Sequence, residues 1–325
     1  MHIYPPDANF NFMGIRRVTV AISLFLILVS IVSLATRGLN FALDFTGGTL
    51  VEVIYAEPIE QGSVSEALEA AGFRGAMVNR FSSTNFAIRL SPDLAAEVAG
   101  AEALGDTSLD DRNAAVGQQV LRALSSDGAR VTLQRSEYVG PQVGRELAEN
   151  GIIAVLVVLT GIMIYIALRF EWKFSVAVVA GELHDVILTL GFFSLTGMDF
   201  DLTVLAAILA VDGYSVNDKI VISDRIRELF RSTRKNNPEE VINIAVNQTL
   251  ARTIMTSLTT LLTVSALYFF GGPALEGFSL ALIFGIVVGT LSSIFFASPL
   301  LLALGVTKQD LLPRARDEAE LARRP

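Results

Sequence analysis

The stretch 202–225, LTVLAAILAVDGYSVNDKIVISDR, is apolar enough to enter a bilayer yet carries Asp212, Asn217, Asp218 and Lys219 inside its run. A charged side chain at the centre of a membrane helix costs about 3 kcal/mol on insertion scales, so each marks a functional site by default. The chemistry open to such groups is proton uptake and release, or charge pairing between helices. Ser215 and Asp218 stand about 60° apart around a helix, and Arg225 returns to within about 20° of Asp218. Glu182, His184 and Asp185 lie in a second apolar stretch, and Arg252 stands where another begins. Burial would favour the neutral form of Asp218.

His184-Asp185 has the look of a metal phosphohydrolase, but such a site needs more His and Asp ligands, and His2 is the only other histidine. Neither metal ligands nor catalytic residues are assigned. Polar contact between helices, or a proton-relay role, remains for Glu182, His184 and Asp185. An intramembrane aspartyl protease, with Asp185 and Asp218 sharing a water, is a further alternative, although its Tyr-Asp and Gly-x-Gly-Asp signatures are absent. A purely scaffolding membrane protein is the plainest one.

The elements that must hold these residues follow from composition. Of 325 residues 52% are hydrophobic and 18% charged, which places the chain among integral membrane proteins. A spanning helix needs about 20 mostly apolar residues. Six candidates satisfy this: 18–36, 151–168, 175–196, 202–222, 253–270 and 277–304. The first follows Arg16 and Arg17 but exceeds the roughly 7–15 residues of a signal-peptide core, so it reads as an uncleaved anchor. Zero cysteines exclude disulfides and thiolate metal sites.

Lys and Arg collect in alternate inter-helix segments: Arg16 and Arg17, Arg169 and Lys173, the stretch 225–252, and a tail with Lys308, Arg314, Arg316, Arg323 and Arg324. The loops 196–201 and 271–276 contain none. The positive-inside rule therefore places both termini in the cytoplasm, with residues 1–17 at the interface and 305–325 as a charged tail. The segment 37–150 then lies outside. It holds 16 Asp and Glu against nine Arg, about −7 of the chain's −8, which argues against nucleic acid as a partner.

Within 37–150, strand-like TLVEVIYA, helix-like SVSEALEAAG, strand-like AMVNRFS and TNFAIRLS, a helical stretch near 111–125 and strand-like ARVTLQRSEYV spell βαββαβ, a ferredoxin-like α+β domain. The small, acidic stretch 92–111 reads as a loop or frayed helix. Gly47-Gly48 precedes the first strand as a turn, and Gly140-Pro141 follows the last as a hinge or rigid turn. After 222, Ile226, Leu229 and Phe230 recur at helical spacing among basic residues, so 225–252 reads as a cytoplasmic amphipathic segment. Asn237-Pro238 supplies a fresh helix start within it. Gly285-x-x-x-Gly289 is a helix-packing spacing.

Asp44-Phe45-Thr46-Gly47-Gly48-Thr49, Val139-Gly140-Pro141, Arg169-Phe170-Glu171-Trp172, His184-Asp185, Gly213-Tyr214-Ser215-x-Asn217-Asp218, Asp224-Arg225-Ile226-Arg227-Glu228, Asn247-Gln248-Thr249-Leu250-x-Arg252-Thr253 and Gly271-Gly272-Pro273-x-Leu275-x-Gly277-Phe278, in this order between six spans, resemble the SecF family. Its members are the smaller membrane subunits of SecD–SecF protein-export complexes. The resemblance implies an α-helical polytopic membrane protein, half of a resistance-nodulation-division (RND) type fold, completed by a SecD-like subunit in the bacterial inner membrane. It implies an accessory role at the Sec translocon channel, acting on the exported polypeptide, with the proton gradient as energy source and no cofactor. Half of an RND-type small-molecule or lipid exporter is the alternative within the superfamily, and the short outer segment speaks against it.

By resemblance, the proton-relay positions are Asp218, Asn217, Ser215 and Arg252. Asp212, Lys219 and Glu182 depart from the family pattern, in which an apolar residue, a small hydroxyl and a small or amide residue are usual. Glu182 lies about 12 Å, and Lys219 about 5 Å, from the cytoplasmic ends of their helices. A lysine side chain nearly closes that gap, so Lys219 is expected to pair with Glu182 or Asp212. A Lys219–Asp218 pair would instead put transport through the site in doubt.

Overall fold

A computed structural model describes residues 10–99, 109–125, 128–232 and 237–311. The start of the expected cytoplasmic N-terminus, part of the acidic stretch 92–111 and the tail arginines Arg314, Arg316, Arg323 and Arg324 lie outside the described residues. In chain order the helices are α1 (Arg16–Thr36), α2 (Leu43–Thr46), α3 (Gln61–Ala70), α4 (Pro92–Ala99), α5 (Leu109–Leu124), α6 (Pro141–Arg169), α7 (Trp172–Thr196), α8 (Leu202–Ser232), α9 (Pro238–Phe270), α10 (Glu276–Ser292) and α11 (Ser298–Ala303). The strands are β1 (Asn40–Phe41), β2 (Gly48–Tyr55), β3 (Met77–Arg80), β4 (Asn85–Leu90), β5 (Val131–Val139) and β6 (Asp199–Phe200). The chain forms two compact units, one of Asn40–Ala154 with Asp199–Leu202, the other of Met1–Leu39, Val155–Met198 and Thr203–Pro325.

In the α+β unit, alternate residues of β2 (Val51, Val53, Tyr55) and β4 (Phe86, Ile88, Leu90) point to one face, as a half-buried sheet requires. Val64 and Leu68 of α3 and Val116, Val120 and Leu124 of α5 cover that face. The antiparallel sheet runs β3-β4-β2-β5, the arrangement of a βαββαβ ferredoxin-like domain. The start of the acidic stretch 92–111 forms α4.

Gly47 and Gly48 have φ of +69° and +122°. A Cβ on Gly48 would fall 2.2 Å from the Leu90 carbonyl oxygen, and one on Gly47 would fall 2.9 Å from Pro141 Cα. Close backbone packing therefore explains this pair. Pro141 is the first residue of α6, where a missing N–H leaves no bond unmade. The helix thus begins ten residues before the expected span 151–168, and Gly140-Pro141 forms a strand-to-helix turn.

The same unit holds the loop that starts α8. Asn40 and Phe41 pair in parallel with Asp199 and Phe200. Asp199 accepts bonds from Asn40 Nδ2 (2.7 Å) and Asn79 Nδ2 (3.0 Å) and pairs with Arg89 (2.8 Å). Asp44 Oδ2 accepts the Leu202 N–H at 3.0 Å, capping the first turn of α8.

Among the described residues, five helices are long and apolar enough to cross a membrane: Met13–Thr36, Pro141–Arg169, Trp172–Thr196, Pro238–Phe270 and Pro273–Ala303. The sixth expected span, in α8, does not meet that test, because Asp212, Asp218 and Lys219 interrupt its apolar part. Instead α8 buries a continuous stripe at helical spacing, Val204, Ala207/Ile208, Val211/Asp212, Ser215, Asp218/Lys219, Ile222/Ser223, Ile226 and Phe230. Large apolar residues stay exposed on α1 (Val18, Phe25, Leu28), α6 (Leu156, Val157, Leu168) and α9 (Leu262, Phe269, Phe270). Such outward apolar faces are what hydrocarbon solvates.

One expectation is corrected by the helices themselves. The segment 225–252 is no separate amphipathic helix: 225–232 continues α8, and residues from Pro238 belong to α9. Ile226 and Phe230 stay in phase with the α8 stripe and are buried with Val241 and Ile242 of α9, so nothing stops the helix at 222. The next helix starts after Asn237, whose Oδ1 accepts the Glu239 N–H at 3.1 Å, with Pro238 as its first residue. The last expected span is helical throughout, with a π turn over Ser293–Ala297 between α10 and α11.

Candidate functional site

Three helices build a buried polar cluster. On α8, Asp212, Ser215 and Lys219 lie three and four residues apart and so share a face; on α7, Glu182 and Asp185 do the same. On α10, Gly285 and Gly289 let the backbone close on α8. A Cβ at Gly285 would fall 2.5 Å from Val211 Cγ1, and one at Gly289 would fall 2.5 Å from Ser215 Oγ. Gly181 of α7 similarly makes room for the Lys219 stem, 2.6 Å from the position a Cβ would take.

Lys219 is the centre. Its ammonium lies 2.8 Å from Glu182 Oε1 and 2.6 Å from Asp185 Oδ2, and it donates to Ser215 Oγ at 2.6 Å. Asp185 is fully engaged as an acceptor. Oδ2 also takes Ser215 Oγ (2.6 Å) and Ser292 Oγ (2.9 Å), while Oδ1 lies 2.8 Å from His184 Nδ1. With the carboxylate so placed, Nδ1 of His184 carries the proton and donates. The His184 ring stacks on Phe296 at 4.5 Å, and its Nε2 is buried without a partner. The Glu182 and Asp212 carboxyl groups face each other within hydrogen-bonding reach.

The relay residues expected by resemblance divide between two faces. Ser215 belongs to the Lys219 cluster and not to Asp218. Asn217 is exposed on the helical unit. Asp218 is buried, its Oδ2 without a partner, and it shares a face with Tyr214, whose hydroxyl bonds Ser257 of α9 at 3.3 Å. Arg252 is exposed and close enough for its charge to act on Asp218, but among the described residues no ion pair joins the two. The expected Glu182–Lys219 pair is present, and no ion pair joins Lys219 to Asp218. What sequence reasoning missed is Asp185 as the principal partner of Lys219, together with Ser292. The run Ser292-Ser293 in an otherwise apolar span was the available signal.

Residues 119–307 match the model of the C-terminal region of the protein export membrane proteins SecD/SecF, and residues 32–53 match the SecD/SecF GG motif. The chain is 44% identical to the protein translocase subunit SecF of Pseudomonas aeruginosa over 95% of this chain and 96% of that one. It belongs to the SecF family. The SecF subunit of Vibrio alginolyticus is 42% identical over 96% of this chain and 95% of its own length. Among solved structures, SecDF of Thermus thermophilus, described as a translocon-associated membrane protein, superposes with a TM-score of 0.80 at 38% identity over 93% of this chain. A SecDF in its super-membrane-facing form gives 0.65 at 38% identity over 99%. The chain spans about two fifths of those SecDF chains, 39% and 41% of their lengths. The matched region 119–307 contains every residue of the buried cluster, and Gly47-Gly48 lies within the GG motif.

Proposed function

We propose that this chain is the SecF-type accessory subunit of a Sec protein translocase. In this reading it works beside a SecD-like subunit and the translocon channel in the bacterial inner membrane, with both termini in the cytoplasm, to promote export of polypeptides. Family membership supports the setting. Proton flow as the drive rests on one observation, the ionisable groups buried inside helices that otherwise expose apolar surface. Asp218 is the group we assign to proton exchange, with Arg252 favouring its ionised form and Asn217 a polar neighbour. A charge crossing the membrane potential gains about 2.3 kcal/mol per 100 mV, enough to bias two helix arrangements. No cofactor and no catalytic chemistry are part of this reading. A paired-aspartate protease is disfavoured because Asp185 is committed to Lys219, Ser215 and Ser292.

The test is complementation of an export-defective strain with the wild-type chain, Asp218→Asn and Arg252→Ala, following precursor accumulation with and without an uncoupler. Both variants should accumulate precursor as the uncoupled wild type does. Normal export by both would remove the proton assignment, and a SecD-like subunit should co-purify.

A further inference from the structure

Glu182, Asp185, Asp212 and Lys219 are each at most 2% exposed. Three ionised carboxylates against the one ammonium of Lys219 would leave uncompensated negative charge in the helix interior. Each such charge costs several kcal/mol, so a buried group in that position takes up a proton instead. Asp185 is not that group, since donors saturate its carboxylate. The other two are. Both oxygens of Asp212 and Oε2 of Glu182 are buried, and no protein donor bonds them. Two facing carboxyl groups bond only when one of them carries the hydrogen.

A second feature points the same way. A cavity of about 10 Å³, roughly the space of one water molecule, borders Lys219 and has the hydroxyl-bearing Ser223, Ser293 and Ser298 in its wall. It lies on the side of Lys219 toward the C-terminal ends of α8 and α11, because Ile222, Ile226 and Leu301 belong to its wall, with Ala177, Val178 and Ala297 completing it. Ser293 opens the π turn and Ser298 closes it, with Ser298 Oγ donating to the Ser293 carbonyl at 2.8 Å. Such turns recur at functional sites.

We infer that Glu182 and Asp212 hold one proton between them and, with Lys219, form a second proton-binding site separate from Asp218, loaded from the C-terminal end of α8 through the serine-lined cavity. The exchange is of a proton alone, arriving from and returning to water, with no other bond changed. The charged and titratable groups around it are Glu182, His184 and Asp185 on α7, Asp212, Asp218 and Lys219 on α8, and the exposed Arg252 on α9; α10 and the π turn present the hydroxyls of Ser292 and Ser293 there, with Glu276 at the opposite end of α10. Lys219 acts here as a tethered cation that holds Asp185 ionised while leaving the Glu182–Asp212 pair to the proton. This deepens the proton-coupled reading, but the resting protein tests it.

Infrared spectroscopy of the full chain in lipid vesicles at neutral pH should show the carbonyl stretch of a protonated carboxyl group that moves in D2O. The band should persist in Asp218→Asn and be lost in the double variant Glu182→Gln/Asp212→Asn, with helicity followed by circular dichroism. Its absence in Asp218→Asn overturns the site without any further variant, as does its survival unchanged in the double variant. Ser223→Val should slow the D2O shift, and unchanged exchange overturns the route. Failed export by Asp218→Asn with this band intact separates the two sites, whereas normal export with the band present leaves this site standing and removes only the Asp218 assignment.

Discussion

Replacing Lys219 by Met keeps much of the stem volume and removes the ammonium. In the wild type that ammonium contacts Glu182 at 2.8 Å and Asp185 at 2.6 Å with all three side chains buried. Breaking a buried pair by deleting one partner costs about 3–5 kcal/mol, chiefly because the remaining charge is left unpaired. Two carboxylates share this lysine, so the upper part of that range applies at neutral pH. Denaturant unfolding of the detergent-solubilised chain, followed by circular dichroism, reads the loss directly. It should shrink as pH falls, because a carboxyl group that has taken up a proton no longer needs the ammonium. The double variant Lys219→Met/Asp185→Asn should cost less than the sum of the singles, by about 1–3 kcal/mol of coupling. A loss under about 1 kcal/mol, or strict additivity, would refute the claim that this ion pair holds α7 to α8.

Gly48→Ala should destabilise the α+β unit by more than about 2 kcal/mol in thermal unfolding, since the new Cβ falls 2.2 Å from the Leu90 carbonyl at φ +122°. Asp44→Ala removes the cap on α8 and should cost about 1 kcal/mol, seen as faster hydrogen exchange at the start of that helix. At the basic end, burial works to raise the Asp310 carboxyl, but its bonds from Lys173 Nζ (2.8 Å) and the Thr307 N–H (2.7 Å) prevail and hold it below its ordinary value. A depressed carboxylate contributes stability above its unfolded value and loses it as pH falls through the folded one. Docking of 304–310 should therefore weaken below about pH 4, and Lys173→Met should reduce that dependence in hydrogen exchange, the Thr307 bonds remaining.

The βαββαβ order was legible because strand alternation and helical spacing are local signals, and the α+β domain follows them from β2 to β5. Asn237-Pro238 likewise announced the start of α9, since a cap and an N1 proline act on their own helix. The extension of α8 to Ser232 was misread. Basic residues around Ile226 and Phe230 resemble an interfacial face, and only the cover from Val241 and Ile242 of the following helix turns that face inward. The π turn also left no local mark, because it depends on how Ser293–Ala297 meets neighbouring helices.

For the candidate site, residue types and spacing alone marked Asp212, Ser215, Asp218, Lys219, Glu182 and Asp185 as costly in hydrocarbon, for transfer energy is a property of the side chain. They also placed Lys219 within reach of Glu182, since helical rise sets depth. Depth does not set rotation. Which face α8 turns to α7 depends on the small residues Gly181, Gly285 and Gly289, and it is this tertiary packing that gave Lys219 to Asp185, drew Ser215 away from Asp218 and left Glu182 facing Asp212.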